Sequence, residues 1–174
     1  MSGYNSDYHE ASERKDDALF QEFNDQTHYF PITKRNQQLS HIDYTCTDAK
    51  GRECSVELKR RQCKVAEYTH IYIEPQKFFE MLLRWMQYRI IPIYINFMKD
   101  GVLMFDLRQW ENVDLKLQRV TIKNHGYSEE KQETYRYCLP TDKAIMFIKD
   151  IDGRYIRAKF NKENGGQTEQ RTET

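Results

Sequence analysis

Two acidic residues and a lysine in one short segment carry the strongest chemical signal in this sequence. Asp43 stands before a glycine-containing turn, and Glu57 and Lys59 follow that turn with one residue between them. Two carboxylates held close together can bind a divalent cation such as Mg²⁺, which prefers oxygen ligands. A lysine beside that cation can orient a water molecule, help to deprotonate it, and offset negative charge that develops on the reacting group. The three residues therefore predict metal-assisted hydrolysis.

Residues 41–61 have the pattern of a hairpin that brings the two acids together. A three-residue loop ends at Gly51, where glycine adopts a left-handed backbone at least cost. With Lys50 at the tip, residues whose numbers add up to 100 face each other, so Asp43 lies opposite Glu57. Side chains alternate along a strand, and a slip of one residue would scramble both faces. One face then carries Asp43, Thr45, Thr47, Glu53, Ser55, Glu57 and Lys59, and the other carries Tyr44, Cys46, Cys54, Val56 and Leu58.

The opposition of two carboxylates has two interpretations. Like charges on neighbouring strands repel each other, and a purely structural surface normally avoids that cost. A divalent cation bound between Asp43 and Glu57 would remove the repulsion. The alternative is that Asp43, Glu57 and Lys59 form a solvated charge cluster on an ordinary sheet, which would contribute little to stability.

The first two thirds of the chain predict an α/β fold with a mixed central sheet. Pro75 suits the first turn of a helix, where its missing N–H is not needed, and the apolar run at 90–97 suits a buried parallel strand. The first helix is weakly amphipathic, with Ala11, Ala18, Leu19 and Phe23 on its apolar stripe. The predicted elements are a helix at 8–23, a loop at 30–40, strands at 41–48, 53–60 and 68–74, a helix at 76–88 and a strand at 90–97.

The last third predicts a C-terminal antiparallel β extension on the sheet. Asp100 and Gly101 form a tight turn into a strand at 102–107. Short alternating patterns then predict strands at 117–123, 134–139, 144–148 and 155–160. We expect one domain at 8–160, made of a core at 8–107 and the extension at 108–160, with flexible termini at 1–7 and 161–174.

The element order and the acidic motif resemble the PD-(D/E)XK nuclease superfamily over residues 8–97. The resemblance implies a restriction-endonuclease-like or resolvase-like αβββαβ core and hydrolysis of DNA phosphodiester bonds with Mg²⁺ or Mn²⁺. It assigns Asp43 and Glu57 to the metal and Lys59 to the attacking water, with the Leu58 carbonyl as a further ligand. The sequence has His41 and Ile42 before Asp43, where the motif of the superfamily has proline.

The resemblance also implies supporting residues. Resolvase-like members add a glutamate from the first helix, for which Glu22 is the candidate. A polar residue that opens the second helix often assists, which indicates Gln76 or Lys77. The basic residues Arg60, Arg61 and Lys64 are candidates for contacts with the DNA backbone, and they equally fit the edge of an ordinary loop.

The acid-x-lysine triplet alone is a weak signal, because it recurs along the chain. Asp114 is the strongest competitor, since Asp100 precedes it by the interval that separates Asp43 from Glu57. However, Asp100 belongs to a predicted turn, and no helix with a polar opening follows. The other triplets begin at Glu13, Asp48 and Glu129.

Composition limits the possible partners. Over 174 residues the formal net charge is zero, so a polyanion must be met by a local patch. The sequence shows neither a secretory signal nor a membrane-spanning run, and the four cysteines have no zinc-site spacing. We expect a cytoplasmic protein with DNA as its partner, and with a partner protein or a second copy that helps to deliver the DNA. A non-catalytic subunit and a nucleic-acid-binding module without hydrolysis stay open as alternatives.

Overall fold

The computed structural model of the protein describes residues 6–36, 42–111, 115–123 and 131–160. Of the predicted flexible termini, residues 1–5 and 161–174 lie outside these ranges. The helices are α1 (Ser6–Thr27) and α2 (Pro75–Tyr88). The strands are β1 (Ile32–Arg35), β2 (Tyr44–Thr47), β3 (Glu53–Arg60), β4 (His70–Ile73), β5 (Ile91–Met98), β6 (Gly101–Asp106), β7 (Leu117–Lys123), β8 (Lys131–Pro140), β9 (Ile145–Lys149) and β10 (Tyr155–Ala158).

The larger sheet contains seven strands in the order β1-β2-β3-β5-β6-β9-β10. β3 and β5 are parallel and are joined through α2, whereas the other neighbours in this sheet are antiparallel. A crossover helix is the usual way to connect two parallel strands. The predicted α/β class with a mixed sheet and an αβββαβ core is therefore confirmed.

The first strand of the antiparallel trio differs from the prediction. Residues 30–40 were expected to form a loop, but Ile32–Arg35 forms β1 and pairs with β2. β1 lies at the edge of the sheet, and its one aliphatic residue, Ile32, is 63% exposed. A short strand without a buried face leaves no alternation in the sequence, which explains why the pattern did not reveal it.

The strand predicted at 68–74 belongs to a different sheet. His70–Ile73 forms β4, which pairs with β8, and β8 pairs with β7. The predicted extension is likewise divided between two sheets. β9 and β10 continue the larger sheet beyond β6, whereas β7 and β8 form the smaller sheet with β4.

The two faces of the larger sheet have separate apolar cores. On one face, Phe20 and Phe23 of α1 pack with Val56 and Leu58 of β3. On the other face, α2 and the smaller sheet supply residues such as Phe78. β3 lies between these cores, so its alternate side chains meet two different environments.

The first helix is longer than predicted and buries only part of its predicted stripe, since Phe23 is 0% exposed and Leu19 is partly buried. The expected helix at 8–23 extends to Thr27. Phe20 is 1% exposed, whereas Ala11 and Ala18 of the predicted stripe are exposed. Phenylalanine removes more apolar area from water than alanine does, so the aromatic residues determine which side of α1 faces the sheet.

The predicted register of the hairpin is confirmed. Tyr44 pairs with Val56, and the register continues through Cys46 and Cys54. Gly51 has φ 75°, in the left-handed region expected for the last loop position. In the described ranges, the structure shows no helix with the length and apolar character needed to cross a membrane.

Substitution of Gly51 tests whether its left-handed backbone stabilises the hairpin. Gly51→Ala should lower the free energy of unfolding by about 1 kcal/mol, because a Cβ atom disfavours the left-handed backbone. Gly51→Asn should cost less, since asparagine tolerates this conformation. Urea denaturation measures both variants, and equal stability of Gly51→Ala and the original chain would contradict the assignment.

Candidate active site

Glu57 lies on β3 with its side chain removed from solvent. The residue is 3% exposed, and its Oε1 accepts a hydrogen bond from the ammonium group of Lys77 on α2. Its Oε2 is also buried and has no hydrogen-bond partner among the described residues. An interior carboxylate oxygen without a partner is unfavourable. Because each carboxylate oxygen has two lone pairs, Oε2 of Glu57 has the capacity to accept a hydrogen bond and also to bind a cation.

The charges around Glu57 shift its pKa towards neutrality. Burial raises the pKa of Glu57 from 4.5 to about 7, and the negative charge of Asp43 acts in the same direction, while Lys77 opposes both. Partial burial lowers the pKa of Lys77, but the charge and hydrogen bond of Glu57 outweigh that effect and keep this pKa above its ordinary value. Glu57 thus changes charge near neutral pH, whereas Lys77 stays charged.

Asp43 precedes β2 and reaches the backbone of β3. Its Oδ2 accepts a hydrogen bond of 2.8 Å from the N–H of Leu58, and its Oδ1 lies 3.5 Å from Nη1 of Arg35. The charge of Asp43 is the second largest cause of the raised pKa of Glu57, so the two carboxylates interact. The N–H and C=O of one strand residue point to the same side. The Leu58 carbonyl therefore points towards the Asp43 side of β3.

Lys59 follows Glu57 at the next position on the same face of β3. The residue is exposed as a whole, yet its ammonium group lies among protein atoms and other positive charges. Removal from water is the first cause of its lowered pKa, and the charges of Arg61 and Lys77 are the next causes. A lysine with a lowered pKa releases and accepts protons more readily near neutral pH.

The two polar residues that open α2 have different positions. Lys77 contacts Glu57, as described above. Gln76 is exposed, and its side-chain amide donates to Oε1 of Glu80 at 3.2 Å. Of the two predicted supporting residues, Lys77 is thus the one that reaches the acidic pair.

α1 brings Asp16 to this end of the sheet. Burial raises the pKa of Asp16, the charges of Arg60 and Lys59 lower it, and the charge of Asp43 raises it. Asp16 Oδ1 is buried without a hydrogen-bond partner among the described residues, although Arg60 Nε lies 3.6 Å away. A first-helix acid therefore interacts with both Asp43 and Lys59.

The glutamate predicted for this role lies elsewhere. The carboxylate of Glu22 forms an ion pair of 2.6 Å with Lys149 of β9. β5 and β6 separate β9 from β3 in the sheet. Glu22 is hence not brought to Asp43 and Glu57. Helical geometry explains the difference, since residues six positions apart on a helix lie nearly two turns apart along its axis.

The three basic residues that were predicted to contact DNA have different surroundings. Arg60 interacts with Asp16 and donates to Oγ of Ser12 at 3.2 Å. The guanidinium of Arg61 is held by hydrogen bonds inside the fold, so it is not directed at a ligand in solvent. Lys64 is exposed and has no ion pair within the described ranges. Lys64 is thus the best placed of the three to meet a DNA phosphate.

Arg35 is a site residue that sequence reasoning missed. Its Nη1 lies 3.0 Å from Oδ1 of Asp17 and 3.5 Å from Oδ1 of Asp43. Arg35 falls in the segment that was expected to be a loop, so no pattern in the sequence linked it to Asp43. Asp16 was missed as well, because a helical acid carries no distinctive spacing of its own.

The competing acid-x-lysine triplets have other surroundings. Asp48 is a turn residue whose Oδ1 accepts hydrogen bonds of 2.9 Å from the N–H groups of Lys50 and Arg52. Glu13 lies 3.6 Å from Arg35 on the surface. Asp114 and Glu129 lie outside the described residues.

The donor set fits a cation held by few protein ligands. Within the described ranges, no three acidic, histidine or cysteine side chains are grouped closely enough to hold a metal ion. Mg²⁺ is commonly held by one or two carboxylates together with water and substrate oxygens. The free Oε2 of Glu57, the nearby Asp43 and the Leu58 carbonyl satisfy that smaller requirement.

Comparison with solved structures finds likenesses, of which one is described here. The chain is similar to a Holliday junction resolvase from the archaeal hyperthermophile Archaeoglobus fulgidus, with a TM-score of 0.42 and 11% sequence identity, over 71% of this chain and 85% of that one. No model of a protein family matches the sequence, and no curated protein matches it.

The shifted pKa of Glu57 predicts a pH-dependent stability. Between pH 4.5 and pH 7 the folded chain keeps a proton on Glu57 that the unfolded chain releases, so stability falls as the pH rises. Glu57→Gln removes this dependence. The free energy of unfolding of the variant relative to the original chain should rise by about 3 kcal/mol across that interval. Denaturant titrations at several pH values measure the difference.

The control for this experiment is Glu53→Gln, which changes an exposed glutamate on the same strand. This variant should follow the pH dependence of the original chain. A constant difference between Glu57→Gln and the original chain would show that Glu57 keeps an ordinary pKa in the folded protein.

Proposed function

We propose that this protein is a metal-dependent nuclease that hydrolyses phosphodiester bonds of DNA. The observation that supports the proposal most strongly is the buried carboxylate of Glu57, which has one oxygen without a partner among the described residues and interacts with Asp43. A solvated surface cluster does not explain this arrangement, because Glu57 is 3% exposed. Burial of a carboxylate has a cost that a bound cation offsets.

In this proposal, Asp43, Glu57 and the carbonyl of Leu58 would hold Mg²⁺ or Mn²⁺. Asp43 is fixed by the N–H of Leu58 and steadied by Arg35, so its carboxylate has little freedom to move away. Glu57 would hold the ion in place of part of its interaction with Lys77. When bound, the ion polarises the phosphate and stabilises the negative charge that develops on it.

Lys59 and Lys77 supply the remaining chemistry. The lowered pKa of Lys59 favours acceptance of a proton from the attacking water. The water oxygen forms a bond to phosphorus, and the ester oxygen of the leaving nucleotide departs with its bonding electrons. Lys77 keeps its charge beside the site and is suited to the phosphate oxygens.

DNA is proposed as the substrate from the phosphate-directed chemistry of the site and from the PD-(D/E)XK resemblance of the sequence. Lys64 supports contact with the nucleic-acid backbone because it is exposed and follows β3 closely in the chain. A chain of zero net charge has no general attraction for DNA. A partner protein or a second copy that helps to hold the DNA therefore belongs to the proposal.

A metal-binding and cleavage assay tests the proposed function. The original chain should bind Mn²⁺ and nick DNA when Mg²⁺ or Mn²⁺ is present. Asp43→Asn and Glu57→Gln should weaken Mn²⁺ binding, and Lys59→Met should preserve binding but lower the cleavage rate by at least about 100-fold. Glu53→Gln is the matched control on the same strand. Metal-independent, salt-sensitive DNA binding without cleavage would support the non-catalytic alternative instead.

A second comparison distinguishes the two acids of α1. Asp16→Asn should weaken Mn²⁺ binding or cleavage, because Asp16 interacts with Asp43 and Lys59. Glu22→Gln should leave both unchanged, since Glu22 pairs with Lys149 on a distant strand. Mn²⁺ titration and initial cleavage rates measure the effects. The reverse ranking would restore Glu22 as the first-helix ligand.

A further inference from the structure

Asn96 lies beside the acidic site and is fully removed from solvent. The residue is 0% exposed and lies on β5, where it pairs with Lys59 in the parallel register, next to the pair of Glu57 and Tyr94. Paired residues and residues two apart on a strand share one face of a sheet. The Asn96 side chain therefore lies on the same face as Glu57 and Lys59.

Arg61 fixes the orientation of the Asn96 amide. Its Nε donates to Oδ1 of Asn96 at 3.1 Å, and its Nη2 donates to the carbonyl of Tyr72 at 2.8 Å and to the hydroxyl of Tyr94 at 3.0 Å. A flipped amide would place its NH₂ group against the N–H of the guanidinium. The Asn96 Nδ2 group consequently points away from Arg61.

Two buried groups of opposite hydrogen-bonding type occur on this face. Nδ2 of Asn96 is a donor, Oε2 of Glu57 is an acceptor, and neither has a partner among the described residues. Glu57 pairs with Tyr94, Arg61 donates to the hydroxyl of Tyr94, and Lys77 donates to Glu57, so these groups surround one small region. A buried water molecule typically bridges such otherwise unsatisfied donors and acceptors.

We propose that Asn96 Nδ2 and Glu57 Oε2 hold one buried water molecule beside Lys59, and that Asn96 orients this water for attack. Asn96 donates to one lone pair of the water, which leaves the other lone pair for phosphorus, and Lys59 accepts the proton. Arg61 is the positioning residue, because it acts on the water through the amide of Asn96. The catalytic part of this inference rests on the proposed nuclease function, whereas the water site rests on the fold alone.

The water site is tested without any cleavage assay. Proton NMR of the metal-free protein should show direct magnetisation transfer from a long-lived water molecule to the side-chain amide of Asn96, a signal assigned by its loss in Asn96→Leu. Glu57→Leu removes the acceptor and should abolish the transfer. Ser55→Ala is the matched control, because Ser55 Oγ is also buried without a partner among the described residues on this face. No transfer in the original chain overturns the water site.

The catalytic role is tested by separating the two functions of the amide. Asn96→Asp removes the donor but keeps an acceptor for Arg61, and the guanidinium of Arg61 balances the added negative charge. Asn96→Leu removes both the donor and the acceptor. Both variants should lower kcat about 100-fold, with KM unchanged, and Asn96→Leu should keep its Mn²⁺ affinity within about twofold of the original chain. Ser55→Ala should keep the original kcat. A purely structural role would instead leave Asn96→Asp with the original kcat.

The outcomes separate this inference from the proposed function. If the original chain cleaves no DNA with either metal while the water transfer is present, the nuclease proposal fails and the water site stands. If the original chain cleaves DNA and both Asn96 variants keep the original kcat, the role of Asn96 is overturned and the nuclease proposal stands.

Discussion

The buried carboxylate of Glu57 is the constraint around which this end of the molecule is organised. A charge in the interior requires compensation, and the two carboxylate oxygens of Glu57 are compensated unequally. One oxygen receives the ammonium of Lys77, whereas the other is left without a partner among the described residues. The antiparallel hairpin brings Asp43 to the same place, although its charge makes ionisation of Glu57 less favourable. Such an arrangement lowers stability near neutral pH, which favours a functional reason for it over a structural one.

The hairpin and its register followed from local rules that the sequence states directly. Gly51 limits the turn, and alternation of apolar and polar residues fixes which side of β3 faces α1. The buried strand β5 and the start of α2 at Pro75 could be predicted from the sequence in the same way. These features depend on residues close together in the chain or on long apolar runs.

The elements that were predicted incorrectly depend on long-range contacts. β1 is exposed and short, so its pairing with β2 leaves no periodic pattern in residues 32–35. β4 has an ordinary strand pattern, and only its pairing with β8 assigns it to the smaller sheet. In the site, the choice between Asp16 and Glu22 is set by how α1 crosses the sheet. Phe23 of the predicted stripe is buried, whereas Ala11 and Ala18 are exposed, so the stripe gave that crossing only in part.

Lys77 determines how the interior charge of Glu57 is met by the chain itself. Because α2 carries its own ammonium group to Glu57, the interior charge is balanced by a tethered ion that belongs to the polypeptide. The carboxylate of Glu57 therefore has its counter-ion as soon as α2 packs against the sheet.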